Sequence, residues 1–189
     1  MTTIQRSVAT VAPETQPLTV TEAKRHLEIA QSDGSHDAEL RNLIIACREK
    51  WEHDTQSLTV SRTIIEKLAD WPDSSWRFYY RPVTSIFSIT YFDTANASQT
   101  LATTVYDLDA PNRRLLEKVD QEWPSIESRW DAITIKYIAG YASVPEIAKS
   151  AMKFQLDVLF ELRGMTTDKD ASQRAYNNLV LQYQRASYP

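Results

Sequence analysis

The sequence predicts an α+β fold: a four-helix bundle-like α domain with a small antiparallel β subdomain inserted between the second and third helices. Apolar residues recur at helical spacing from Asp37 to about His53, and again from Pro145 toward Gly164. Between those segments the period changes to alternation, in short runs separated by turn residues. A glycine joint in YIAGYASVPEIAKSAM then leads from the last alternating run to the broadest apolar helix. Only 3 glycines occur in 189 residues, so Gly140 marks a point where the backbone needs a positive φ or a close approach.

The first helix begins at PLTVTEAKRHLEI, where Thr19 and Glu22 have the spacing of a capping box. Val20, Ala23 and Leu27 give it a short apolar stripe, and the polar run QSDGSHD ends it. In the second helix, Leu40, Leu43, Ile44, Cys47 and Trp51 share one face, with Arg41, Arg48, Glu49 and Lys50 mostly opposite. Strands are expected over Leu58–Ile65, Arg77–Tyr79, Val83–Tyr91, Leu101–Tyr106, Arg113–Leu116 and Ile133–Tyr137, with TANASQ as a turn. In the third of these, Val83, Phe87, Ile89 and Tyr91 form the inward set. Trp71, Trp76, Trp123 and Trp130 fall in this region and are read as its packing, since a small sheet needs large side chains to make a core.

Pro145 suits the first position of the third helix, and Gly164 the position just past its end. Ala148, Ala151, Met152, Leu156, Leu159, Phe160 and Leu162 give it an apolar face wide enough for the centre of a bundle. The last helix covers roughly Asp170 to Arg185, with Tyr176, Leu179, Val180 and Tyr183 as its stripe. The organisation is therefore a flexible N-terminal arm over 1–16, helices one and two over 17–56, the β subdomain over 57–138, and helices three and four with a C-terminal tail over 139–189.

Composition bounds the function. The net charge is −4 and the only adjacent basic pairs are Lys24-Arg25 and Arg113-Arg114, so tight or sequence-specific nucleic-acid binding is not expected. The single cysteine, Cys47, allows no internal disulfide and lies on an apolar helix face, where it reads as an inert core thiol. No apolar run is long enough for a transmembrane helix, and the start lacks an apolar signal core.

Glycines at 34, 140 and 164 exclude both glycine-rich phosphate loops. His26, His36 and His53 match no zinc spacing and read as histidines near helix ends. Asp107, Asp109, Glu117, Asp120, Glu122 and Glu127 could supply an acid/base pair or a calcium site, but lack the EF-hand pattern; a solvated face is the plainer reading. No catalytic, metal or cofactor site is expected.

Several segments, in order, carry a family signal: PLTVTEAKRHL, DAELRNLIIACREKWEHDT, RPVTSIFSITYFD, YDLD, EWP, and ITIKYIAGYASVPEIAKSAMKFQLDVLFELRG. Over about residues 17–164 the chain resembles the phage head–tail connector (adaptor) proteins, found also in prophages and gene-transfer agents. The last segment, strand–AGY–VP–helix–Arg, is the most specific part. After Gly164, NNLVLQYQ stands where the family often has an apolar run followed by Pro-Tyr-Arg.

The resemblance implies a structural protein of the virion neck, made in the host cytoplasm. It implies a homo-oligomeric ring, commonly a dodecamer, that docks on the portal protein at the capsid vertex. The ring meets a head-closure or tail protein, and genomic DNA passes through its centre without specific contact. It implies no enzyme activity, no cofactor and no membrane. Tyr176, Leu179, Tyr183 and Tyr188 are candidate portal or ring contacts, with ordinary bundle core as the rival reading of the first three. A head-closure stopper and an unrelated enzyme with an acidic site in the β subdomain are the alternatives.

Overall fold

The computed structural model of the chain describes residues 6–10, 12–73, 75–161 and 169–186. The fold is α+β, and the chain divides into two compact units, Met1–Pro13 with Ser61–Gly140, and Glu14–Val60 with Tyr141–Pro189.

The second unit holds the helices: α1 (Val20–His26), α2 (Asp37–Thr55), α3 (Glu146–Glu161) and α4 (Lys169–Ala186). The capping box of α1 forms as expected: the Thr19 hydroxyl accepts from the Glu22 N–H at 3.1 Å, and the Glu22 carboxylate accepts from the Thr19 N–H at 2.8 Å. Such a cap contributes on the order of 1 kcal/mol, which matters for a helix of two turns. Leu40, Ile44, Cys47 and Trp51 of α2 meet Ala148, Ala151, Met152, Leu156 and Phe160 of α3, and Tyr176, Val180 and Tyr183 of α4, in one core. The α3 helix starts one residue later than expected, because the Pro145 carbonyl is the acceptor for the Ala148 and Lys149 N–H groups. Gly164 lies outside the described residues.

Arg48 was expected on the outer side of α2 and is buried instead. Its guanidinium donates to Gln16 Oε1 at 3.1 Å and to Glu49 Oε1 at 2.9 Å, so its charge is met inside the unit. Buried Glu52 accepts both the Thr59 N–H and the Thr59 hydroxyl, at 3.0 and 2.9 Å. That carboxylate ties the segment after α2 to the helices, so residues 57–60 belong with them and the first long strand begins at Arg62.

The first unit holds two antiparallel sheets. Strands β1 (Arg6–Thr10), β2 (Arg62–Leu68), β4 (Val83–Phe92), β5 (Ser98–Thr100) and β8 (Ile133–Ala139) form one sheet, in the order β1-β2-β8-β4-β5. Strands β3 (Ser75–Arg77), β6 (Tyr106–Asp109) and β7 (Arg114–Glu117) form the other, in the order β3-β7-β6. Ile64, Glu66 and Leu68 of β2 and Ile133, Ile135, Tyr137 and Ala139 of β8 alternate inward, as the period-two pattern requires. Trp76 and Phe78 meet that inner face: the Trp76 indole N–H donates to the Glu66 carboxylate at 3.0 Å, and the Phe78 and Tyr137 rings lie 4.5 Å apart.

Four expectations change here. The arm over 1–16 is not wholly flexible, because Arg6–Thr10 pairs with Ile64–Leu68 as an edge strand. Leu101–Tyr106 is not one strand: residues 101–105 lie outside any strand, and Tyr106 opens β6. The Leu101 N–H extends the β4 ladder by one bond to the Ile89 carbonyl at 2.8 Å, and the chain then turns, with the Val105 N–H on the Ala102 carbonyl at 3.1 Å. The preceding turn is shorter than TANASQ, since the Asp93 carboxylate accepts from the Ala95 and Ala97 N–H groups and releases Ser98–Thr100 to pair with β4. Trp130 is exposed rather than packed, with the Lys67 ammonium 5.2 Å from its ring centre.

Gly140 ends β8 with φ 115°, and its N–H donates to the Pro82 carbonyl at 2.9 Å. A side chain at that φ is strained, which accounts for the glycine.

Candidate assembly surfaces

The four residues singled out in sequence lie in or beyond α4, and three of them are described. Tyr176 and Tyr183 are buried and Leu179 is half-buried against the same core, whereas Tyr188 lies outside the described residues. The two tyrosines hold α4 to the end of α2 by their hydroxyls. The Tyr183 hydroxyl is 2.6 Å from both Ser57 Oγ and the Tyr141 hydroxyl, and its ring lies 5.1 Å from that of Trp51. The Tyr176 hydroxyl donates to Asp54 Oδ2 at 2.7 Å. The Lys50 ammonium reaches the same oxygen at 2.9 Å and sits over the Tyr176 ring, and Gln184 Nε2 donates to the Asp54 backbone carbonyl at 2.9 Å.

Two titrations follow from this knot. Burial works against the Asp54 charge, but the donors Lys50, Tyr176 and His53 outweigh it and hold the carboxyl below its usual range. Burial first, then the Asp54 carboxylate, pushes the Tyr176 hydroxyl well above the ordinary tyrosine value.

The opposite side of α4 shows Asn177, Asn178, Leu181, Gln182 and Arg185 to solvent. Among these Leu181 is a large apolar side chain 50% exposed. In the β unit, Phe87 (74%), Val119 (89%) and Trp130 (58%) are the exposed large apolar side chains among the described residues. Phe87 was expected inside with Val83, Ile89 and Tyr91. Strand β4 instead carries two irregularities against β8, between Val83 and Ser85 and between Ile86 and Ser88. Each bulge leaves one residue unpaired, Thr84 and Phe87, and two single-residue slips restore the parity of the strand ends. The alternating pattern therefore survives at Val83, Ile89 and Tyr91 while Phe87 turns out.

Several of the polar side chains singled out in sequence have local partners among the described residues. Among the described residues no group of three or more His, Cys, Asp and Glu side chains could hold a metal ion. His26 lies 2.8 Å from the Asp157 carboxylate, His53 3.2 Å from Asp54, and the His36 ring meets the edge of Phe160. Two of the acidic candidates in the β unit serve locally: Asp109 accepts from the Asn112 backbone and side chain, and Asp107 pairs with Lys118. Cys47 is fully buried, and burial pushes its thiol up to about 12. Among the described residues no helix is long and apolar enough to cross a membrane.

Sequence reasoning missed Glu66, the fully buried acceptor at the centre of the β unit. The Tyr137 hydroxyl, the Trp76 indole and the Tyr79 N–H all donate to it. Its signal was its place in the inward parity of RTIIEKL, between Ile64 and Leu68.

No family model matches the chain, and no curated protein matches it in sequence. Solved structures do. One is a chain in the neck of the native gene-transfer-agent particle computed with C12 symmetry, at TM-score 0.71 and 20% identity over 94% of each chain. The chain shares its fold with gene transfer agent neck proteins. A chain in the virion of the native gene transfer agent particle matches at TM-score 0.73 and 21% identity, over 91% of this chain and 94% of that one. A third, in the neck of the empty particle computed with C6 symmetry, matches at TM-score 0.69 and 21% identity, over 86% and 87%. Each likeness covers a larger share of the chain than the span 17–164 on which the sequence resemblance rested.

Proposed function

We propose that the chain is a structural protein of a phage-type virion neck: a head–tail adaptor that forms a ring, docks on the portal protein, and joins it to the next neck or tail protein. One observation carries this reading, the shared fold over nearly the whole of both chains with neck structures, one of them computed with twelvefold symmetry. A ring of about twelve copies is the oligomer it favours, closed by one heterologous contact repeated around the axis. In this reading a four-helix bundle-like unit carries the β unit, all of it but the N-terminal strand β1 inserted between α2 and α3, and the protein waits in the host cytoplasm until the portal is in place.

DNA passes through the centre of the ring without being gripped. The net charge of −4 supports this, because cations along a channel would bind phosphate and slow passage. The helix-rich unit favours the adaptor over a stopper. We assign docking to the outer side of α4 around Leu181, with Leu179 at its border and Tyr188 beyond it; Tyr176 and Tyr183 hold that helix in position.

Purified protein mixed with the portal of the same particle, viewed by negative-stain electron microscopy, tests the reading. Added ring density on one end of the portal is expected. Portals unchanged at saturating protein, with the chain recovered free, would overturn it.

A further inference from the structure

A closed ring needs two different patches on one subunit, and the β unit carries two that match each other. The first is Phe87, expelled from β4 by its bulge, beside Lys136: the next residue, Ser88, is paired across the sheet with Lys136. Lys136 has no ion-pair partner among the described residues, and its other cross-strand neighbour is the apolar Ile65. Lys67, two residues along β2 from Ile65, lies 3.7 Å from Asp131, and the two answer each other. The patch is therefore an exposed aromatic ring with one uncompensated positive charge.

The second patch follows β7, on the other sheet of the unit. In EKVDQE, Val119 is exposed, and Asp120, at φ 61°, reverses the chain. Lys118 pairs with Asp107 at 3.5 Å, so its charge is spent. Glu117, Asp120 and Glu122 have no ion-pair partner among the described residues. This patch is an apolar tip within three uncompensated negative charges.

We propose that the occupant of the Phe87 patch is a second copy of this chain: the Val119 tip of one copy packs on Phe87 of the next, with Lys136 facing Glu117, Asp120 and Glu122. The inference rests on the ring reading and deepens it by naming the contact. Phe87 meeting Phe87 would set Lys136 against Lys136, and tip meeting tip would set carboxylates together; only the head-to-tail arrangement places opposite charges opposite. It also covers two large apolar side chains that water otherwise surrounds, and desolvation strengthens the charge pairs around them.

The test uses Phe87→Cys, Val119→Cys and the double variant, each assembled on the portal and treated with a short bifunctional maleimide. Cys47 is fully buried and does not compete. The double variant is expected to give a ladder of covalent oligomers on a denaturing gel, and each single variant only monomer. Adding Lys136→Glu should lower the ladder yield severalfold, and adding Glu122→Lys to that should restore it.

Dimers from Phe87→Cys alone, a cross-link from the Phe87→Cys variant to another neck protein, or a failed charge reversal each overturn the proposal. So does a ring visible by microscopy whose double variant yields no ladder, which leaves the ring reading standing. Absence of any ring on the portal with the parent protein overturns the ring reading itself. Both positions are exposed, so the variants should melt with the parent, which separates a lost contact from a lost fold.

Discussion

Replacing Glu66 should destabilise the β unit from its centre. The side chain is fully buried, and its carboxylate accepts from the Tyr137 hydroxyl, from the Trp76 indole at 3.0 Å and from the Tyr79 N–H at 2.9 Å. Glu66→Leu keeps the volume and takes the acceptor from all three donors. Each buried donor left without a partner costs about 1–3 kcal/mol, and taking one member from a buried charged network costs about 3–5 kcal/mol in all, since the losses are not additive. At about 2–4 °C per kcal/mol for a chain of this size, the melting temperature should fall on the order of 10 °C. Glu66→Gln, which keeps one carbonyl oxygen, should lose less. Thermal unfolding followed by tryptophan fluorescence reports the change, because Trp76 itself is one of the donors. A Glu66→Leu protein within about 1 kcal/mol of the parent would refute the reasoning, since three buried donors would then have found other acceptors at no cost.

Stability should fall at both ends of the pH scale through the Asp54–Tyr176 pair. The Asp54 carboxyl titrates below its ordinary 3.8 in the fold, so its contribution is present above that value and lost as pH falls through the depressed one; Asp54→Asn should flatten the acid limb of denaturation measured against pH. The Tyr176 hydroxyl titrates above its ordinary 10, so its contribution is complete below pH 10 and lost as pH rises beyond it, and Tyr176→Phe should flatten that limb. Truncation after Ala186 leaves Val180 and Tyr183 in the helical core and removes Tyr188; it should reduce portal occupancy in a pull-down with an unchanged melting temperature, and full occupancy would argue against a docking role for the tail. The Cys47 thiol, pushed up to about 12, should resist a maleimide at neutral pH in the folded protein and label at once in denaturant; rapid labelling of the native protein would contradict its burial.

The helices were legible because each announces itself in a single property. Apolar residues at 40, 44, 47 and 51 need one face, Thr19 and Glu22 need one turn, and the Gly140 joint needs one backbone angle; all are local, and all hold in the structure. The strands were less legible because register is a property of two segments at once. The bulges at Thr84 and Phe87 depend on how β4 lies against β8, and no pattern within RPVTSIFSITYF contains that information. The same limit hid β1, whose pairing with β2 joins residues far apart in sequence, and it hid the burial of Arg48, whose acceptor Gln16 precedes α1. Tyr176 and Tyr183 read equally as core and as interface in the sequence, and only the partners of their hydroxyls, Asp54 and Ser57 with Tyr141, assign them an internal task.

The outer strands of the five-stranded sheet are both short, five residues in β1 and three in β5. A long bare edge would recruit stray strands from unfinished or damaged chains in a crowded cell. The three rungs of β5 offer too few hydrogen bonds to template a fibre, and the Asp93-centred turn stops the ladder just before them. Edges this short leave the side chains, and not the main chain, to choose what the sheet sticks to.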